Sequence, residues 1–91
     1  MAGIEIRIVD WDRYSETLSS LRHTVFVEEQ GVPIELELDG EDASAWHAAA
    51  FSDDGKLIGT GRMLGSGKIG RMAVSQSMRR QGIGRALLDA L

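Results

Sequence analysis

The chain has 91 residues, ten Lys and Arg against fourteen Asp and Glu, a formal charge of −4, one proline and no cysteine. That length suits one domain near the small end of what buries its own core. The missing thiols exclude a disulfide scaffold, Cys-ligated zinc or Fe–S chemistry and thiolate nucleophiles.

Ile4, Ile6 and Ile8 alternate with Glu5, Arg7 and Val9, which predicts a strand over 4–9 with one buried face. The opening MAGIEIR has no basic stretch feeding an apolar run and does not read as a leader. Asp10 or Asp12 is placed to cap a helix carrying Tyr14, Leu18, Leu21 and Val25 at helical spacing, with Phe26 and Glu29 extending it or forming a second short helix. Gly31 and Pro33 break that pattern, and residues 31–45 lack periodicity, as in an ordered loop over a site or a mobile segment. Trp46 to Phe51 and Leu57 to Leu64 read as strands joined by the turn Asp53-Asp54-Gly55-Lys56. A second turn at Gly65 to Gly67 leads to a strand over Lys68 to Val74. After Ser75 to Met78, a helix follows with Ile83, Leu87, Leu88 and Leu91 on its apolar face. The order is β-α(-α)-β-β-β-α, an α/β (α+β) arrangement.

Charge is divided along the chain. Thirteen acids and three bases precede Lys56; from Lys56 onward stand seven bases and one acid, Asp89. Seven acids and no base lie between Glu28 and Asp42, both included. Either the halves neutralise each other in the fold, or the basic end receives a compact anion while the acidic one attracts a cation. Nucleic acid is a poor fit to a short basic patch without aromatic interleaving. No apolar run could cross a bilayer, and the composition is that of a cytoplasmic protein.

The chemistry concentrates in residues 71–91, where a strand runs through Arg79-Arg80-Gln81-Gly82-Ile83-Gly84 into a helix. A helix N-terminus exposes unpaired amides and partial positive charge, which suits a phosphate. Gly82 and Gly84 let the backbone approach such a ligand, and Arg79, Arg80 and Arg85 add attraction. Neither a P-loop nor a full dinucleotide fingerprint is present. Glu28 and Glu29 are the local candidates for a base or an amine-binding pair. His23 and His47 read as structural, and Tyr14 as core. Asp39, Glu41 and Asp42 lack the spacing of a calcium loop, and no metal site is expected.

The 79–84 segment resembles the Q/R-x-x-G-x-G/A signature of the GCN5-related N-acetyltransferase (GNAT) superfamily, and Met72-Ala73-Val74 stands where that family's fourth strand meets acetyl-CoA. Residues 21–33, LRHTVFVEEQGVP, with Glu37, Leu38, Asp39, Asp42 and His47, are similar to its ElaA-like branch. The resemblance implies a mixed, mostly antiparallel sheet opened like a V and direct acetyl transfer to an amine or peptide acceptor, with no acyl-enzyme. Backbone groups at Met72, Ala73 and Val74 would hold the pantetheine arm, and Arg79, Arg80, Gln81, Gly82, Ile83, Gly84 and Arg85 the pyrophosphate. It also implies that residues 1–91 form a partial domain, the N-terminal two-thirds, without the fifth strand, the next helix and the final strand pair. Self-association, as a homodimer or larger assembly, would then cover the open edge of the fourth strand. The alternative to an enzyme is a non-catalytic acyl-CoA-binding or regulatory module.

Overall fold

The computed structural model describes residues 3–91; Met1 and Ala2, the start of the segment read as leaderless, lie outside the described residues. Strand β1 (Ile4–Val9) ends at Asp10, whose carboxylate accepts the Asp12 amide and caps α1 (Trp11–Arg22). The helical path then widens into a π-helix over His23–Glu29, where the Gln30 amide reaches back five residues to the Val25 carbonyl at 3.2 Å. Gly31, at φ 73°, turns the chain. The one-turn helix α2 (Ile34–Glu37) and a 3₁₀ turn at Asp42–Ser44 follow.

Strands β2 (Trp46–Ser52), β3 (Leu57–Met63) and β4 (Ile69–Val74) complete the sheet, and α3 (Ile83–Ala90) closes the described chain. The strand order is β1-β2-β3-β4, with Ile6 opposite Ala50, Ala48 opposite Gly61 and Gly59 opposite Val74. Every pairing is antiparallel, so among the described residues no parallel pair makes the sheet mixed. Adjacent antiparallel strands need only short turns, and the two that end in Gly55 and Gly67 supply them.

The sheet has a helix on each face. On one, Leu18 of α1 packs with Ala49, Phe51 and Leu57, joined by Val9, Trp11, Tyr14 and Leu21. On the other, Ile83 and Leu87 of α3 pack on Ala48, Ala50 and Ile58, with Ile4, Ile6 and Met72 around them. Ile8 and Leu88, read from the pattern as core, are instead exposed. Small residues in β2 and β3 set how close α3 can come: a Cβ on Gly59 would lie 3.1 Å from Ile83 Cγ2 and 3.2 Å from Leu87 Cδ1.

Two features break regularity where it matters. Arg71 and Met72 together face Gly61, one extra residue in β4, and Arg71 takes the left-handed φ of 49°. Residues 31–45, expected as an ordered loop over a site or a mobile segment, are ordered through α2 and the 3₁₀ turn, which place Glu37 and Asp42 in the interior.

Gly59→Val should therefore push α3 off the sheet, destabilising the fold by about 1–3 kcal/mol as overpacked cores do. Gly65→Ala, with no atom within 4 Å of its added Cβ, should be near neutral. Thermal melts of the two variants check this; equal melting temperatures would contradict the close packing.

Candidate functional site

β4 is an edge strand among the described residues, its partner being β3 alone. Its backbone at Met72, Ala73 and Val74 runs to Ser75, whose amide continues the ladder to the Ile58 carbonyl at 2.8 Å. The chain then makes one 3₁₀ turn and enters the loop that precedes α3. Arg80 and Gly82 both adopt left-handed backbone, φ 65° and 80°, which turns the loop sharply into the helix. No side chain caps α3, and its first internal bond is from the Ala86 amide to the Gly82 carbonyl, leaving the amides of Ile83, Gly84 and Arg85 without helical partners. Nothing lies within 4 Å of a Cβ built on Gly82 or Gly84. The result is an open cradle of backbone donors at the positive end of a helix.

The arginines of the loop differ in their engagements. Arg79 donates from Nε to the Val74 carbonyl at 2.9 Å and pairs with Glu29 at 2.7 Å, tying the loop to the end of β4 and to the π-helix. Arg85 pairs along its own helix with Asp89, at 3.1 Å. Arg80 and Gln81 are exposed. Glu28 faces His23, 3.6 Å away, on the surface. The sequence-derived residues thus gather around the β4–α3 connection, with Glu29 among them and Glu28 apart. A depression of about 550 Å³ along α1 meets the same connection at Ser75, between Thr24 and Lys56.

What sequence reasoning missed is a buried ionic network beside the start of β4. Arg22, 1% exposed at the end of α1, donates from Nε to Glu37 at 2.6 Å and forks onto both oxygens of Asp42 at 2.8 and 3.2 Å. Arg62 of β3 forks onto Asp39 at 2.9 and 2.8 Å and reaches Asp42 at 3.1 Å. Arg71, at the bulge of β4, donates to the carbonyls of Leu36 and Glu37 and to Asp39 at 3.2 Å. Three guanidinium groups therefore meet three carboxylates. Asp42 is buried and Asp39, though exposed, is held by Arg62 and Arg71, so the two charge halves of the sequence neutralise each other here.

His47 closes the network. Its Nε2 lies 2.8 Å from the Asp42 carbonyl, which can only accept, so Nε2 carries the proton. Its ring stacks on Trp11 at 4.8 Å, and the Arg22 guanidinium sits 5.7 Å from the same indole. Burial pushes the His47 pKa below its ordinary value, outweighing the pull of Asp42. Hydrogen bonds from Arg62 hold Asp39 well below the carboxylate range; burial alone would raise Asp42, but Arg22 and Arg62 outweigh it and lower it too. Against the apolar part of this region lies a cavity of about 400 Å³, lined by Phe26, Val32, Leu36 and Met72 with Gln30, Glu37 and Arg71.

Comparison with known proteins bears on this geometry. The acetyltransferase (GNAT) domain profile matches residues 14–91. The uncharacterized N-acetyltransferase YjcF of Bacillus subtilis (strain 168) is 38% identical over 74 residues, covering 78% of this chain and 52% of that protein. Crystal structures of Escherichia coli ElaA (28% identity, TM-score 0.80) and of an acyl-CoA N-acyltransferase from Pseudomonas aeruginosa (31% identity, TM-score 0.80) each superpose on 94% of this chain. The chain spans 65% and 64% of those two structures, and about half the length of the curated relative. The chain belongs to the GNAT acetyltransferase family. With ElaA and the Pseudomonas protein matching equally in TM-score, the likeness favours the superfamily and no one branch of it.

The network makes two outcomes predictable. Arg22→Met leaves Glu37 and Asp42 buried without their cation and should cost about 3–5 kcal/mol in denaturant unfolding. Arg22→Lys should rescue little, since an ammonium cannot reproduce the fork. For pH, all three shifts are downward, so each group's stabilisation is present above its unfolded pKa and is lost as pH falls. His47 acts first: the unfolded chain takes up its proton near about pH 6.5, which the buried ring resists. The aspartates act next, below about pH 3.9. The melting temperature should fall from pH 7 to 5, and His47→Gln should flatten that interval; a wild-type curve already flat there would contradict the assignment.

Proposed function

We propose, from its membership of the GNAT acetyltransferase family, that this chain binds acetyl-CoA and serves direct acetyl transfer to an amine, within the ElaA-like branch and in a cytoplasmic setting. The observation that carries the reading is the uncapped N-terminus of α3, opened by Gly82 and Gly84, directly downstream of an edge strand. The amides of Ile83, Gly84 and Arg85 fit the pyrophosphate, with Arg80 and Gln81 exposed beside them. The free edge of Met72, Ala73 and Val74 fits the amide groups of the pantetheine arm as an added strand would.

Acetyl-CoA supplies an activated thioester carbonyl: the new N–C bond forms as the C–S bond breaks, one proton leaves the amine and one reaches the departing sulfur. Of the two carboxylates expected to serve the amine, Glu29 stands beside the loop and is assigned to take that proton, directly or through water. Arg79 positions Glu29 while also holding the Val74 carbonyl. Glu28, facing His23, is assigned no contact with the reacting atoms. The cavity bounded by Phe26, Leu36 and Met72 is assigned to the acceptor, an arrangement in which amine and thioester approach β4 from its open side. Self-association, expected of an open edge, would use the outer side of β1 once β4 is committed to the acyl chain.

Calorimetric titration tests the reading. Acetyl-CoA and coenzyme A should bind, and ATP, which lacks the pantetheine arm, should bind at least roughly tenfold more weakly, a loss of about 1.4 kcal/mol or more. Gly84→Glu points a carboxylate into open space at the cradle and should abolish coenzyme A binding while the melting temperature changes little. Unchanged affinity in that variant would remove α3 from the site. Binding with no acetyl transfer to any amine would favour the non-catalytic module instead.

A further inference from the structure

Strand β1 is the other edge of the sheet among the described residues, paired with β2 alone. Its backbone direction follows from that neighbour. The Ser52 amide donates to the Lys56 carbonyl at 2.9 Å, so Ser52, Ala50 and Ala48 turn their backbone groups toward β3. Phe51, Ala49 and His47 therefore bond to β1, through Glu5, Arg7 and Val9 opposite them. That leaves the amides and carbonyls of Ile4, Ile6 and Ile8 facing outward. Natural edges are blunted against such exposure by a bulge, a proline or lysines. β4 carries a bulge at Arg71, but β1 pairs with β2 without a shift from Ile4 to Val9 and holds neither proline nor lysine.

The side chains along this edge are self-complementary. Glu5 and Arg7 are exposed and share the face of the sheet that carries α1, opposite Phe51 and Ala49. The Arg7 guanidinium rests 4.4 Å from the Phe51 ring centroid, and its Nε lies 3.6 Å from Glu5, beyond hydrogen-bond reach. An antiparallel copy of β1 can face β1 in several registers, and charge chooses among them. A twofold axis at Ile6 sets Glu5 opposite the partner's Arg7, and Arg7 opposite the partner's Glu5. An axis at Glu5 or at Arg7 sets like charges face to face, and one at Ile4 or Ile8 leaves both charges without an opposite. The axis at Ile6 also pairs the outward backbone of Ile6 with the partner's Ile6, and that of Ile4 with the partner's Ile8. Ile8, 47% exposed in the single chain, is thereby covered.

We propose that two copies of this chain join β1 to β1 about a twofold axis at Ile6, which continues the sheet across both. The contact is isologous, so the Glu5–Arg7 pair occurs on each side of the axis. Helix α1 packs on β2 and β3, one strand in from the contact. The proposal gives a register to the self-association assigned to β1 and rests on that reading, but not on acetyl transfer, since β4 stays free.

Sedimentation equilibrium of the full chain, with charge reversals in β1, tests this. The wild type should dimerise, more weakly as salt rises. Arg7→Glu and Glu5→Arg each set like charges opposite and should weaken the dimer roughly tenfold or more. The double reversal Glu5→Arg/Arg7→Glu restores opposite pairs and should restore the dimer. Mixed one to one, the two single variants should pair with each other in preference to themselves, which only folded chains can do. Amide exchange reports the register: Ile4, Ile6 and Ile8 should gain protection as protein concentration rises, while Glu5 and Arg7, bonded within the chain, should not. A wild type monomeric at every concentration, single reversals that dimerise as the wild type does, or a double reversal and a mixture that both stay monomeric would overturn the proposal. So would concentration-dependent protection at β4 in place of β1. Coenzyme A titrated into Arg7→Glu should bind as it does to the wild type, so failure of the phosphate cradle is read separately from failure of the dimer.

Discussion

A guanidinium group with no path to water governs this structure. Arg22 ends α1 on the face that packs against the sheet, and burying its charge unpaired would be prohibitive. Two carboxylates must come to it, and the sequence supplies them fifteen and twenty residues later, from Glu37 and Asp42. Bringing both to one point fixes the path of residues 31–44, so a stretch without periodicity is held by ion pairs in place of an apolar face. The cost of such pairs is high, but what they specify is position.

That position is shared with the sheet. Asp42 serves both Arg22 and Arg62, and Asp39 both Arg62 and Arg71, so α1, β3 and β4 are joined through two short side chains. The π-helix ahead of α2 fits the same constraint. Its wider turns displace Phe26 and Glu29 relative to an α-helical path, and these residues line the apolar cavity and meet Arg79 respectively. On the far face, glycines in β3 let α3 lie close, and that closeness determines where its open N-terminus stands relative to β4.

The regular parts were legible because local chemistry determines them. Alternation at 4–9, turns ending in Gly55 and Gly67, and the Ile83–Leu87 spacing each carry a signal within a few residues. The loop's glycines were legible for the same reason: a strand, a left-handed Gly82 and a helix leave few alternatives. Arg22, Arg62 and Arg71 were not, since carboxylate partners 15 to 32 residues away leave no periodic trace. The acids from Glu28 to Asp42 read as solvated or ligand-seeking because charge runs usually are; only tertiary contact shows that four of them, Glu29, Glu37, Asp39 and Asp42, face inward or across to the basic half. The exposed Ile8 and Leu88 failed in the opposite sense, being in phase with a core that does not extend over them.

Arg71 joins the ionic network to the sheet edge. The extra residue in β4 lets it leave the strand's regular alternation, at a left-handed φ that a non-glycine residue adopts at some strain. Its contacts offset that strain with two carbonyls of α2 and one carboxylate. The same bulge turns Met72 over Gly61, where a Cβ would collide with the Met72 sulfur. The strand assigned to the acyl chain therefore takes its irregular start from the acidic segment, and its end from Arg79 and Glu29. Both ends of β4 are held by salt bridges to the acidic half of the chain. An edge strand so anchored keeps its backbone in register with β3 as its one neighbour among the described residues, which is what a strand must do if its free side is to be read by a ligand.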